Sequence, residues 1–531
     1  MSVYDYVIVG AGSAGCVLAN RLSADPTVNV ALLEAGGSDA HPYVAMPKAV
    51  AKLIAMPSVM WLFTADPQRE TAMKPDYWLR GRVVGGSSSV NGMIWVRGQP
   101  ADFDAIAARS SDDWSWQHIG RAYAEMENHE LGKGPFRGGA GSLRISIATP
   151  RNALTEAILM AGERMGWPVK LDVNEPDMGE GIGYVQQTIY RGKRQSAALA
   201  FLHPVAQRPN LTVITNAIVD RVRFHDKRAA GVEVLQANQR REISARREII
   251  LAAGAVASPG ILERSGIGDP ARLAGLDIPL IHANEQVGEN VIEHRALRMQ
   301  WKLRQPLSLN FAFNGWRLIG SVLKYYLTGN GALSGAAMDM RAAFRSRPEL
   351  DRPDVHAQIG LYSRELSGSG RMEPFHGFSA VVHPLRPTST GAVHITTRDP
   401  TTLPRIEARY GSSAEDETIT IAAARWMRRF AQQEPLRQLI ETETAPGPAA
   451  QSDDDIVAAL YKHGIPCMHA VGSCRMGKDA DSVVDPNLRV RGVEGLRIMD
   501  TSIMPTIPSG NTNGPTLAMA WRAADIIRRD Y

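Results

Sequence analysis

The sequence predicts an α/β protein, in which a Rossmann-like dinucleotide-binding domain is interrupted by an inserted domain built on an antiparallel sheet flanked by helices. Three observations predict it. Near the N-terminus a glycine-rich turn, Gly10–Gly15, stands between an apolar strand at Tyr4–Val9 and a helix at Cys16–Leu22. The texture of strand, Pro/Gly-rich loop and helix returns from Leu496 to Tyr531. Between these ends, residues 300–460 change character, and Ala392–Thr397 alternates like a half-buried antiparallel strand bounded by Gly391 and Asp399-Pro400.

At 531 residues the chain exceeds one ordinary core and divides into two domains. The expected division is 1–150, 195–298 and 462–531 for the nucleotide domain, and 151–194 and 299–461 for the inserted one. After the first helix, Val28–Leu33 reads as the second strand. Leu211–Ile214 and Gly231–Leu235 read as strands about a turn at His225-Asp226-Lys227, and Glu248–Gly254 as a further apolar strand. Glu415–Phe430 has helical spacing, with Arg425, Arg428 and Arg429 toward its end. Within 307–327, Phe311, Phe313, Trp316, Leu318, Ile319, Val322 and Leu323 form an aromatic-rich apolar stretch. It reads as core or lid packing, with a membrane-facing patch as the sharper alternative.

Composition narrows the function. The 59 basic and 55 acidic residues leave a net charge of +4, and no long basic run points to nucleic acid. Cys16, Cys467 and Cys474 are too few for a disulfide framework, and no His/Cys spacing suggests a metal site. No uncharged apolar stretch approaches the roughly 20 residues that span a bilayer. The opening residues lack a secretory pattern, so a cytoplasmic location is expected.

Gly10-Ala11-Gly12-Ser13-Ala14-Gly15 matches G-x-G-x-x-G in its proper context, after a strand and before a helix. The first glycine permits the turn, the second admits pyrophosphate to the backbone, and the third lets helix and sheet approach. The helix N-terminus offers free N–H groups to phosphate. Glu34, ending the second strand, is placed to accept from a ribose hydroxyl. The fingerprint alone does not separate NAD from FAD. A second fingerprint, needed for a reductase fed by NAD(P)H, would have to be Gly179-Glu180-Gly181-Ile182-Gly183. That stretch lacks a preceding apolar strand and reads as a loop.

Longer motifs carry a family resemblance. Gly81-Arg82-Val83-Val84-Gly85-Gly86-Ser87-Ser88-Ser89-Val90-Asn91-Gly92 and Gly254 through Gly268 resemble the two signatures of the glucose-methanol-choline (GMC) oxidoreductases. Val287-Gly288-Glu289-Asn290, the segment Gly391 to Tyr410 and Asp500 through Pro505 extend the likeness over essentially the whole chain. The resemblance implies FAD. Its holders would be Glu34 and Ala35 at the end of the second strand and Gly10, Gly12, Ser13, Ala14 and Gly15 in the first loop. In the second they would be Arg82, Val84, Gly85, Gly86, Ser87, Asn91, Gly92, Met93 and Ile94. Val219 lies near the adenine by the same likeness, and Ala253, Gly254, Asp500, Thr501, Asn511 and Thr512 complete the set. Some relatives tether flavin through a histidine where this chain has Val90, which has no nucleophile, so noncovalent FAD is expected.

Cys467-Met468-His469-Ala470-Val471-Gly472-Ser473-Cys474-Arg475-Met476-Gly477 resembles the family's active-site stretch and puts His469 on the catalytic histidine. Imidazole suits proton transfer near neutrality. Asn511 falls where relatives carry the second active-site His or Asn; its amide can bond a substrate oxygen but cannot take a proton, which leaves His469 as base. Trp61 and Met468 are candidate substrate-pocket residues. Methionine suggests an apolar, adaptable pocket, and one aromatic does not make an ammonium cage. The expected activity is oxidation of a primary alcohol to an aldehyde by hydride transfer to flavin N5. Electrons then pass to O2 or to a quinone or other carrier. An oxidase releasing H2O2 on the same alcohols is the near alternative. A non-redox flavoprotein resembling hydroxynitrile lyases is the alternative of a different class.

Overall fold

A computed structural model describes residues 3–148, 150–177, 179–366 and 370–531. The first core is a seven-stranded sheet. The strand Val3–Val9 lies parallel between Val30–Leu33 and the C-terminal half of the long strand Gln239–Leu251, with Val9 beside both Leu33 and Leu251. Leu211–Ile214 adds outside Val30–Leu33, and Leu496–Ile498 adds beside Ile249–Leu251, both parallel. These strands read as unbroken apolar runs because both of their faces are covered; Tyr6–Val9 and Val30–Leu33 are buried throughout. The helices Ser13–Leu22 and Asn513–Arg528, from opposite ends of the chain, pack into this core together.

The long strand has a second role. Its N-terminal half pairs antiparallel with Arg228–Gln236, which pairs antiparallel with Ala217–His225. The turn expected at His225–Lys227 therefore joins Ala217–His225 to Arg228–Gln236, and Leu211–Ile214 belongs instead to the parallel part. Ala217–His225 is hard to read from sequence because a register shift between Val219 and Arg221 breaks its alternation.

The second core is an antiparallel sheet in the order Ile440–Ala445, Arg295–Leu303, Gly377–Pro384, Val355–Gly360, Met340–Phe344, Gly181–Tyr184. Helices Ala153–Arg164, Ala414–Ala431 and Asp453–His463 bury apolar faces against it. Trp167 stacks between Phe344 and Phe430, at centroid distances of 4.6 and 5.7 Å. Gly181–Gly183, expected as a loop, is an edge strand here. Gly183 is required by the segment that crosses it, since a Cβ there would stand 2.4 Å from the Lys170 carbonyl oxygen.

A small third sheet joins the hairpin Met60–Ala65 and Asp76–Gly81 to Arg405–Glu407 and Ala392–His394. The alternating segment at 392–397 is thus a three-residue strand, and it lies outside the main antiparallel sheet. All three residues are buried, because His394 sits between Glu263 (2.8 Å) and Glu289 (3.0 Å) rather than facing water.

The loop 93–97 that borders the central cavity is held by a buried ion pair. Arg97 donates Nε and Nη2 to the two Glu127 oxygens at 2.7 and 2.6 Å, and the Trp95 indole N–H donates to the same carboxylate. Removing one member strands a charge in a dry interior, at a cost of about 3–5 kcal/mol. Arg97→Ala is therefore expected to move the urea unfolding midpoint to clearly lower concentration. An unchanged midpoint would show that this pair holds nothing together.

Candidate active site

A cavity of about 420 Å³ runs between the two cores, within the range of small-molecule and cofactor sites. One end is built by the nucleotide turn. Gly10 has φ +104°, and a Cβ there would meet the Ala252 carbonyl oxygen at 2.5 Å. The two glycine loops lie back to back: Gly85 N–H donates to Ala11 O at 2.7 Å, and a Cβ on Gly86 would stand 2.6 Å from Gly12 Cα. Gly12 caps the helix Ser13–Leu22 without a side-chain acceptor, and its first turn holds no acid. Free N–H groups and the positive end of the helix dipole are left to the cavity, the donor set that a pyrophosphate requires. Ser13 Oγ donates to Asn513 Oδ1 at 2.7 Å, tying this N-terminus to that of the helix Asn513–Arg528, which also lacks a side-chain cap.

Glu34 accepts from Ala11 N–H (3.0 Å) and Gly36 N–H (2.9 Å), so its carboxylate spans two turns and keeps lone pairs for a ribose hydroxyl. Burial, opposed by these backbone bonds, raises its pKa to about 7. Asp500 accepts from Gly254 N–H, Ser258 Oγ–H and Ser502 N–H, and fastens the turns around Ala253, Gly254 and Thr501. These features fit the ADP part of a dinucleotide.

Of the expected site residues, Gly10, Gly12, Ser13, Ala14, Glu34, Ala35, Gly86, Ser87, Asn91, Gly92, Met93, Ile94 and Val219 line the cavity. So do Ala253, Gly254, Asp500, Thr501, Asn511, Thr512, Trp61, Met468 and His469. Gly15, Arg82, Val84 and Gly85 do not. Gly15 is packed under the turn, where a Cβ would stand 1.9 Å from Gly10 O. Arg82 turns its guanidinium onto the Trp61 ring, 4.4 Å from the centroid. Val84 donates its N–H to Gly37 O, and Gly85 is occupied with Ala11. These four stand outside the cavity lining and shape the loops that form it.

The other end centres on His469. Its backbone N–H donates to Glu293 Oε1 at 2.8 Å, and the preceding Met468 takes a left-handed φ of +66°, its sulfur accepting from Leu79 N–H at 3.1 Å. A non-glycine residue in that region persists only where its surroundings hold it. Both imidazole nitrogens are engaged, and their roles follow from one carbonyl. Leu385 O can only accept, so His294 Nε2 carries a proton and donates to it at 2.9 Å. Burial among other histidines holds His294 neutral, which leaves its Nδ1 bare to accept from His469 Nδ1–H at 2.9 Å. His469, likewise held neutral by burial and then by His383 and Arg80, therefore has a bare Nε2. Asn511 Nδ2–H donates to that nitrogen at 3.0 Å, while Gln358 Nε2–H fixes the amide by donating to Asn511 Oδ1 at 2.9 Å. The arrangement presents one unprotonated nitrogen and one amide donor side by side at the cavity wall.

Arg80, Glu293, His294 and Gln358 were not among the residues expected from sequence. Glu293-His294 follow the Val287–Asn290 motif after two intervening residues, and that motif was the available sign. Gln358 lies inside the strand Val355–Gly360, where nothing local marks it. Arg80 lines the cavity 3.7 Å from Glu293, whose carboxyl burial lifts to about 7.

The chain is similar to known proteins over almost its whole length. Family models described as GMC oxidoreductase match residues 4–296 and 387–520. An "Alcohol dehydrogenase [acceptor]" of Pseudomonas putida is 37% identical over 99% of this chain and 96% of its own. An "Oxygen-dependent choline dehydrogenase" of Ectopseudomonas mendocina (strain ymp) is 38% identical over 99% and 94%. Among solved structures, pyridoxine 4-oxidase from Mesorbium loti superposes with a TM-score of 0.90 at 29% identity, over 99% of this chain and all of that one.

Glu34→Gln replaces one acceptor oxygen by a donor that must face Ala11 N–H or Gly36 N–H. It is expected to lower the amount of flavin retained on purification, read as the ratio of flavin to protein absorbance. Wild-type occupancy would remove Glu34 from the nucleotide pocket.

Proposed function

The chain belongs to the GMC oxidoreductase family, FAD-dependent enzymes acting on CH–OH donors, and from that premise we propose that it oxidises an uncharged primary alcohol to an aldehyde with His469 as base. The observation that carries this is the bare Nε2 of His469 beside the Asn511 amide, at one cavity with the uncapped nucleotide turn. A substrate hydroxyl replaces their mutual hydrogen bond, donating to His469 Nε2 and accepting from Asn511 Nδ2–H. As the proton moves to Nε2, the imidazolium charge is shared with His294 through Nδ1–H, and the ring cannot rotate away. Bound FAD supplies the two-electron acceptor for the hydride leaving the alcohol carbon. It is held noncovalently, since Val90 in the cavity wall is no nucleophile. The uncapped N–H groups of the helix Asn513–Arg528 favour negative charge accumulating in the cavity.

Substrate class follows from the walls around the base. Met60, Trp61, Phe63, Leu79 and Met468 are apolar, which suits an aliphatic or benzylic alcohol. A quaternary ammonium such as choline is disfavoured. Arg82 already occupies a face of Trp61, and the Arg80 guanidinium adds positive charge to the same wall. Electrons leave to O2 or to a carrier such as a quinone. Peroxide released in step with alcohol consumed assigns O2, and its absence during dye-supported turnover assigns a carrier.

Anaerobic mixing with aliphatic or benzylic primary alcohols is expected to bleach the flavin faster than mixing with choline. A flavin that no alcohol bleaches would sink the redox reading and favour a lyase. His469→Ala should keep its flavin and slow bleaching by at least about a hundredfold. His294→Leu removes the acceptor for His469 Nδ1–H and should slow bleaching roughly tenfold, the worth of one buried hydrogen bond. His294→Gln, which can accept from His469 and donate to Leu385 O, should restore most of it.

The base works only when neutral, and burial lowers its proton affinity. The acid limb of kcat/KM is therefore expected below the ordinary imidazole value of 6.5. A limb above that value would contradict the buried, neutral histidine.

A further inference from the structure

The helix Gly315–Thr328 buries only one side. Leu318, Val322 and Tyr325 pack with Met46, Ala49 and Leu333. At 3.6 residues per turn, Trp316, Ile319, Leu323, Tyr326 and Leu327 fall within one arc of about 100°. Each of them is between 57% and 83% exposed. Core or lid packing, the reading that the sequence favoured for 307–327, accounts for the first face; the second is covered by none of the described residues. Single exposed apolar residues are ordinary, but five large ones on one helix face are not. Arg317 and Lys324, both exposed, border the arc on one side, and the chain from Gln305 to Met338 contains no Asp or Glu.

We propose that this face docks onto the surface of an anionic lipid bilayer, with the helix lying in the plane of the interface. An aliphatic and aromatic stripe edged by cations, without acids, matches a surface that is apolar beneath and negative at the headgroups. Trp316 and Tyr326 have the amphipathic rings that settle at headgroup level. Among the described residues no helix is long and apolar enough to cross a membrane, so the contact is with one leaflet. The placement also bears on the cavity. The segment beneath the helix, which contributes Met46 and Ala49, continues into Val50 and Ile54 of the cavity wall, and Ile54 is itself exposed. Docking would bring that wall against the lipid, where apolar alcohols and lipid-soluble carriers concentrate.

The test uses the full-length holoprotein and sedimentation with phosphatidylcholine vesicles, with and without phosphatidylglycerol. The wild type should partition onto the mixed vesicles. The triple variant Trp316→Ser, Leu323→Ser, Leu327→Ser should bind at least about tenfold more weakly, with flavin content unchanged because the altered side chains face outward. Arg317→Glu with Lys324→Glu should lose the preference for phosphatidylglycerol. Equal partition of wild type and triple variant would overturn the proposal, as would no partition at all. A dimer that the triple variant abolishes, without vesicle binding by the wild type, would overturn it in favour of a second copy of this chain.

Discussion

The hydrogen-bond chain from Leu385 O through His294, His469 and Asn511 to Gln358 is the constraint on which the chemistry rests. A carbonyl oxygen has no proton to give, so each link toward Nε2 has only one way to point. The chain also joins the two cores. Gln358 lies in the antiparallel sheet and Leu385 just beyond one of its strands, whereas Asn511 precedes the helix that packs on the nucleotide turn. Docking of the domains and the proton state of the base are one arrangement, and a shift between the cores would break both.

Low polarity around the base reinforces this. His294, His356 and His383 surround His469, and burial depresses the proton affinity of all four. In water, neighbouring imidazoles would compete for a second proton; in this interior burial keeps each of them neutral, and the transferred proton goes to the nitrogen that faces the cavity. Glu293 lies on the other side of the backbone, engaged with the His469 N–H, and burial keeps much of its charge from forming. The base is thus shielded from a full carboxylate that would otherwise raise its affinity for protons.

Much of the fold and of the candidate site was legible because it is written in short range. The turn Gly10–Gly15 needs only its flanking strand and helix, and His469, Asn511 and the two glycine loops stand in contiguous motifs. What was not legible depends on partners far along the chain. His294 meets His469 across 175 residues, and Gln358 meets Asn511 across 153; no periodicity encodes either meeting. Gly181–Gly183 looks like a loop until the Lys170 backbone that crosses it is known. The apolar stretch at 307–327 could be read as a helix with two apolar faces, but only packing decides which face the rest of the protein covers.

The proposed preference for an uncharged alcohol rests on the side chains around the base. Trp61 is an aromatic beside a catalytic base, and alone it would suggest recognition of a cation. Two arginines change that reading: Arg82, just past the end of the strand Asp76–Gly81, lays its guanidinium on the indole ring, and Arg80, opposite Trp61 in the hairpin, remains at the wall. A quaternary ammonium entering here would meet the Arg80 guanidinium at the wall, with Arg82 close by on the indole ring, and one carboxylate, Glu293, which is buried and turned to the backbone of His469. Repulsion of this kind in a cavity of low polarity is weakly screened. An uncharged alcohol pays none of it and gains the apolar contact of Met60, Phe63, Leu79 and Met468. On the proposed reading, the base and its amide partner carry the chemistry, and the few side chains facing the carbon skeleton set which alcohol fits.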